Sequence, residues 1–111
     1  MKEQIEFSDW EKLDLVVGKI ESVEDITGAD KLYKLSVNLG SETRTVCAGI
    51  KQYYKKEELK GKNCVVLANL RPRNLKGIES KGMILASSDE NHEKVVIISP
   101  ESAMKPGSKI S

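Results

Sequence analysis

Chemistry in this chain concentrates in one stretch, Asn69 to Met83, which reads NLRPRNLKGIESKGM. It sets Arg71, Arg73, Lys76 and Lys81 against a single acid, Glu79. Pro72 fixes its own φ and biases Arg71 toward extended backbone, so both arginines stand on a stiff support. A guanidinium is a planar fork of donors suited to phosphate oxygens, while a lysine ammonium is a mobile point charge. Asn69 has two readings: pairing with an unpaired base edge, or tying down the loop's own backbone. Ser80 can donate to phosphate or accept from a base edge. Gly77 permits a tight turn, and Gly82 removes bulk from one face of the strand that begins at Met83. A charge run is by default a solvated face. Proline, glycine, asparagine and serine within this one specify shape as well as solubility.

A second cationic segment, KQYYKKEELKGK, interleaves Tyr53 and Tyr54 with lysines. Aromatic side chains among cations suit a single-stranded nucleic-acid surface, although adjacent tyrosines also commonly divide between core and solvent. Other chemistries fit poorly. Cys47 and Cys64 lie in apolar runs, TVCAG and NCVVLA, and read as buried thiols; spacing alone leaves a disulfide open. With the lone His92, in the polar loop SSDENHE, they make neither a zinc tetrad nor a convincing cysteine nucleophile with its base. Asp25 with Asp30, and Glu57 with Glu58, sit in turns or charged helical segments where carboxylates are ordinary. No glycine-rich loop is arranged to cradle a nucleotide phosphate. The residues therefore point to a binding module, with no metal or cofactor called for.

The elements that must position this stretch belong to one small domain of 111 residues, 39% hydrophobic and 32% charged. The 18 basic and 17 acidic residues nearly cancel, so the distribution of charge is the informative quantity. Residues 1–14 carry two lysines against five acids, and residues 51–62 carry five lysines against two. A core of valine, isoleucine and leucine with few aromatics favours sheet. Met1 is followed by the polar KEQIEFSD, and no apolar run approaches a bilayer-spanning length, so no membrane association and a cytoplasmic location are expected.

Ser8, three residues before Glu11, predicts a capped short helix in SDWEKL, with Phe7 and Trp10 against the core edge. A strand follows from about Leu15 to Ile26, with Gly18 marking a bend or bulge. KLYKLSVNL alternates: Tyr33, Leu35, Val37 and Leu39 share one face, a period-two strand. GSE turns the chain into the strand TRTVCAG. One or two helical turns over 51–60 end at Gly61. NCVVLANL, SKGMILASS and KVVIIS are further strands, and KPGSKI returns Ile110 either to the sheet or to a partner chain. The pattern predicts an all-β fold of five to seven strands with no room for alternating long helices. A five-stranded OB-type barrel, with its helical connection between strands three and four, competes with another small barrel or sandwich.

The chain resembles the tRNA-binding domain family. The resemblance lies in DLVVGKI (14–20), GADKLYKLSVNLG (28–40), RTVCAGIKQYY (44–54), EELKGKNCVVLANLRPRNLKGIESKGMILA (57–86) and PGSKI at the end. The family includes the C-terminal domain of many methionyl-tRNA synthetases, the archaeal beta subunit of that enzyme and free-standing tRNA-binding proteins. The resemblance implies an OB-fold that grips structured tRNA through shape and backbone, without catalysis by the domain itself. It implies a homodimer built through an N-terminal arm, residues 1–13, and an extension from about 87 to 111, flanking a barrel of about 14–86. Carried over by position, the binding signature falls on Asn69, Arg73, Lys76, Ser80 and Met83, with Arg71 at a position that is often basic and Lys81 adjoining. Met83 can equally be a support beneath the site. Asn74 and Lys76 depart from the family's more basic, arginine-bearing form, which weakens bidentate phosphate contact. The implied partners are tRNA, a second copy of the chain and a methionyl-tRNA synthetase catalytic subunit. Two alternatives stay open: a protein-binding export chaperone related to the family, and a general single-stranded nucleic-acid binder. A chaperone needs an exposed apolar groove, whereas the 69–83 stretch is basic.

Overall fold

The computed structural model describes residues 1–111. In chain order its elements are α1 (Phe7–Trp10), β1 (Leu15–Asp25), β2 (Tyr33–Asn38), β3 (Thr43–Ala48), α2 (Lys56–Leu59), β4 (Asn63–Leu67), β5 (Arg73–Leu75), β6 (Ile78–Ser80), β7 (Met83–Ile84), β8 (Ala86–Ser88) and β9 (Val95–Ile97). Five strands form an antiparallel sheet in the order β3-β2-β1-β4-β7, and β5-β6 and β8-β9 are separate hairpins. The sheet curls into an OB-like half-barrel, with α2 as the helical connection between β3 and β4. The predicted all-β class holds.

β2 shows why the sheet curls around a core. Tyr33, Leu35 and Val37 are buried while Lys34, Ser36 and Asn38 face outward. The same alternation on its neighbours brings Ile20, Val46, Cys64 and Val66 to the interior, and Leu59 of α2 is fully buried with them. Each such aliphatic side chain contributes about 1.5–3 kcal/mol through its removal from water. The half-barrel closes sparsely: the Lys81 amide donates to the Thr45 carbonyl at 2.9 Å across the gap between β3 and the segment leading into β7.

Several local expectations differ in instructive ways. Gly18 is not a bulge; it stands in register opposite Cys64. A Cβ there would lie 2.6 Å from Val37 Cγ1 and 3.1 Å from Val66 Cγ2, so glycine is needed for room inside the curled sheet. The irregularity falls at Glu21, where the register slips between Ile20 and Ser22. SKGMILASS is not one strand. Gly82, at φ +135, breaks it, and its pieces pair with three different partners, β5, β4 and β9. The first helix begins two residues early, with Glu6 as N-cap and its amide donating to Asp9 Oδ2 at 3.3 Å. A turn at Glu11 and Lys12 follows, and Leu13 and Asp14 lead into β1. Helix α1 buries no side chain, and Phe7 is 70% exposed, not packed on the core edge. Trp10 lies with Leu13 and Ile110 along a groove between the N-terminal arm and the C-terminal tail.

The outer face of β1 and β4 is also apolar. Val17 pairs across to Val65 and Leu15 to Leu67, on the face opposite Gly18, and Leu15, Val17 and Val65 are buried. The C-terminal tail pairs along the edge of β1 here, in an antiparallel bridge between Val16 and Lys109. Gly107 N–H donates to Val17 O at 2.7 Å, Val17 N–H to Ser108 O at 2.8 Å and Ile110 N–H to Leu15 O at 2.9 Å. Ile110 thus returns to the sheet of its own chain. Both cysteines are free and buried, as expected. No helix is long and apolar enough to cross a membrane.

Candidate nucleic-acid interface

The basic stretch has the composition of a loop, yet it is organised by a hairpin. Leu75 and Ile78 face each other in the β5–β6 pair, and Lys76 and Gly77 form the whole connection, with φ of +53° and +84°. Two positive φ values in a two-residue loop are the pattern that matches the twist of paired strands. Asn74 supports it by accepting the Gly77 amide at 3.1 Å on Oδ1. Lys76 bears a conformation that costs an ordinary L-residue roughly 1 kcal/mol. Leu75 and Ile78 pack against a small cluster of Ile26, Ala29 and Cys47, which roots the hairpin on the outside of the barrel.

Ser80 ends this hairpin and is only 5% exposed. Its hydroxyl accepts the Cys47 amide at 2.9 Å and donates to Gly82 O at 3.3 Å. Asn69, at the other root, is equally engaged. Its Oδ1 accepts the Asp14 amide at 2.8 Å and its Nδ2 donates to Lys12 O at 2.6 Å. Arg44 of β3 buttresses the same root by donating to the Ala68 carbonyl and to Glu42.

Between these roots the cations stand free. Arg71, Arg73 and Lys76 are exposed, and none takes part in an ion pair. Lys81 has a loose partner, Glu79, at 3.5 Å. The hairpin separates two grooves. On one side Asn69, Arg71 and Lys81 share a polar depression with Arg44 and Glu42. On the other, Arg73 and Met83 border an apolar groove with Leu32, Ile50, Leu75 and Val95. Met83 is 43% exposed there, so it is a surface residue rather than a buried support. Lys34 and Arg44 adjoin the hairpin beside Lys81 and were missed in the sequence; single basic residues on alternating strands carry no signal of their own.

The second cationic segment is more committed. Asp25 accepts Lys56 at 2.8 Å and Lys51 at 3.1 Å, and these two lysines hold its carboxyl below the usual range, Lys56 most strongly. Arg44 does the same to Glu42. Tyr54 takes the Ile97 amide on its hydroxyl at 3.1 Å, and Tyr53 donates to His92 O at 2.7 Å. Both tyrosines thus brace the β8–β9 hairpin and its loop. Burial pushes the Cys47 thiol up and the Cys64 thiol to about 12, which leaves both protonated and unreactive at neutral pH.

A family model described as "Putative tRNA binding domain" matches residues 15–109. The chain belongs to the tRNA-binding domain family. Methionine–tRNA ligase of Pyrococcus horikoshii is 49% identical over 108 residues, covering 97% of this chain and 15% of that protein. The chain therefore spans about 15% of the length of such curated relatives. A "MetRS related protein" from the same organism superposes with a TM-score of 0.92 at 32% identity, over 99% of this chain and 100% of that one. Chaperone CsaA from Bacillus anthracis gives a TM-score of 0.89 at 26% identity, over 98% and 100%. The tRNA-binding domain match includes the entire 69–83 stretch and stops short of the N-terminal arm.

Proposed function

We propose that this domain binds folded tRNA through Arg71, Arg73 and Lys76, with Lys81 and Met83 at the margins, and serves a methionyl-tRNA synthetase as an auxiliary or beta subunit. The observation that carries the reading is the trio of exposed, unpaired cations held on a proline-stiffened loop and a rooted hairpin. Cations without internal partners exchange only water and counterions for phosphate, and a fixed spacing selects a fixed arrangement of phosphates. The kinship with methionine–tRNA ligases supplies the enzyme context. The domain contributes grip, not catalysis.

Two copies would present two such surfaces to one large RNA. Support for a homodimer comes from the exposed Ile5, Phe7, Leu13 and Met104, on an acidic arm and a tail flanking the apolar outer face of β1 and β4. Sedimentation at micromolar concentration is expected to report twice the chain mass.

The function is tested by competition at fixed moderate salt. Labelled folded tRNA is bound, then challenged with unlabelled folded tRNA, the same tRNA trapped unfolded, and homopolymer RNA. Only folded tRNA is expected to compete. Equal competition by all three would make the chain a general strand binder. A second reading, protein binding, draws on the apolar groove between Leu32, Ile50, Leu75, Met83 and Val95, a feature the basic stretch had argued against. It draws also on the likeness to chaperone CsaA. It predicts capture of a reduced, unfolded polypeptide that tRNA does not displace.

A further inference from the structure

Asn69 belongs to the binding signature by resemblance, yet both ends of its amide are occupied within the chain. Oδ1 accepts the Asp14 amide at 2.8 Å, and Nδ2 donates to Lys12 O at 2.6 Å. The Ala68 amide donates to Asp14 O at 2.8 Å, so Asp14 is bonded through both its backbone groups to the root of the basic loop. Arg44 holds the Ala68 carbonyl from β3. Residues 68–69 are thereby held by the N-terminal arm and by the barrel. Two residues on, Arg71 and Pro72 leave this root with no side-chain bond of their own. The direction in which Arg71 and Arg73 are presented is therefore set at Ala68 and Asn69. The amide keeps one N–H and one lone pair, but it cannot turn to meet a base edge without breaking these two short bonds.

We propose that Asn69 is a positioning residue: it clasps Lys12–Asp14 to the root of the basic loop and fixes the trajectory of Arg71 and Arg73. The proposal rests on the tRNA-binding reading above. It also makes the arm and the loop one mechanical unit, so that whatever orders the arm favours the RNA-competent loop, and the reverse.

The test is hydrogen exchange at the Asp14 amide in the unmodified full chain, free and saturated with folded tRNA, alongside the binding of Asn69→Ala. If Asn69 is a clasp, Asp14 protection persists or rises in the complex. Asn69→Ala should then lose Asp14 protection and bind folded tRNA about 5- to 10-fold more weakly. Its salt dependence should match the unmodified chain, because no phosphate partner is removed. Loss of Asp14 protection on tRNA binding would mean that Asn69 releases the arm to reach RNA, which overturns the proposal. So would an Asn69→Ala variant that binds as tightly as the unmodified chain. The exchange measurement needs no substitution, so it stands even if the variant folds poorly. Failure of the unmodified chain to bind folded tRNA would remove the functional reading as well, an outcome distinct from loss of protection in a complex that forms.

Discussion

The two ends of the 69–83 stretch and its middle obey different rules. At the roots, Asn69 and Ser80 have their side-chain polar atoms bonded to backbone groups of the same chain. In the middle, Arg71, Arg73 and Lys76 have no ionic partner and are exposed. The neutral residues hold, and the charged residues are held out. That division makes physical sense. A buried polar group without a partner costs about 1–3 kcal/mol, so serine at a buried junction must be satisfied internally. A surface cation gains little from an internal ion pair and keeps its reach by having none. Membership of one sequence signature therefore does not imply one role.

The comparison breaks most visibly if the middle is neutralised. Arg71→Gln with Arg73→Gln is expected to weaken binding of folded tRNA about 100-fold, at about 1.5 kcal/mol for each charge-assisted contact. The slope of log affinity against log salt should flatten by about 1.4–1.8. Melting curves should be unchanged, because neither side chain is bonded internally. A variant with full affinity and full slope would move the phosphate site elsewhere.

At the root the order of effects reverses. Ser80→Ala leaves the buried Cys47 amide without its acceptor and should destabilise the fold by about 1–3 kcal/mol, lowering Tm by about 4–15 °C. At temperatures where it remains folded, its salt slope should equal that of the unmodified chain. A flattened slope would place Ser80 on phosphate after all.

Lys76 sharpens the contrast because it belongs to both regimes, a cation in a strained turn. Lys76→Asn should stabilise the chain by roughly 0.5 kcal/mol, since asparagine tolerates positive φ more readily. It should also weaken tRNA binding about 3- to 10-fold. Denaturant melts and binding titrations moving in opposite directions would identify backbone strain kept for the sake of a charge. If both improve, Lys76 is merely a poor turn residue.

The smallest effect on tRNA binding concerns the barrel that carries both regions. Burial holds the Cys64 thiol neutral up to about 12, whereas the unfolded thiol ionises near 9. The raised folded value means the contribution to stability is complete below about pH 9. It is lost as pH rises from there toward about 12, because only the unfolded chain can release the proton. Cys64→Ala should flatten this alkaline decline while lowering stability at neutral pH through the cavity it leaves. An identical alkaline slope in the variant would assign the decline to other groups.

Sequence by itself determined the all-β class, the alternating faces of β2, the placement of α2 and its stop at Gly61, and the stretch on which to look for binding. These are local matters: alternation of apolar residues, a glycine at a left-handed position, a proline between arginines. Kinship with the tRNA-binding domains was legible for the same reason, since its motifs are contiguous runs. Tertiary structure alone decided the rest. Asn69 finds its acceptor-side partner 55 residues away in Asp14, and Ser80 finds Cys47 at a distance of 33. No local pattern distinguishes an amide that will meet such a partner from one that will face solvent. Gly18 reads as a bend in a strand until the sheet curls and brings Val37 and Val66 to within 3.1 Å of its missing Cβ. SKGMILASS reads as one strand because its composition is continuous. It becomes three because each piece meets a different free edge, and which edges are free is settled only when the whole sheet has closed.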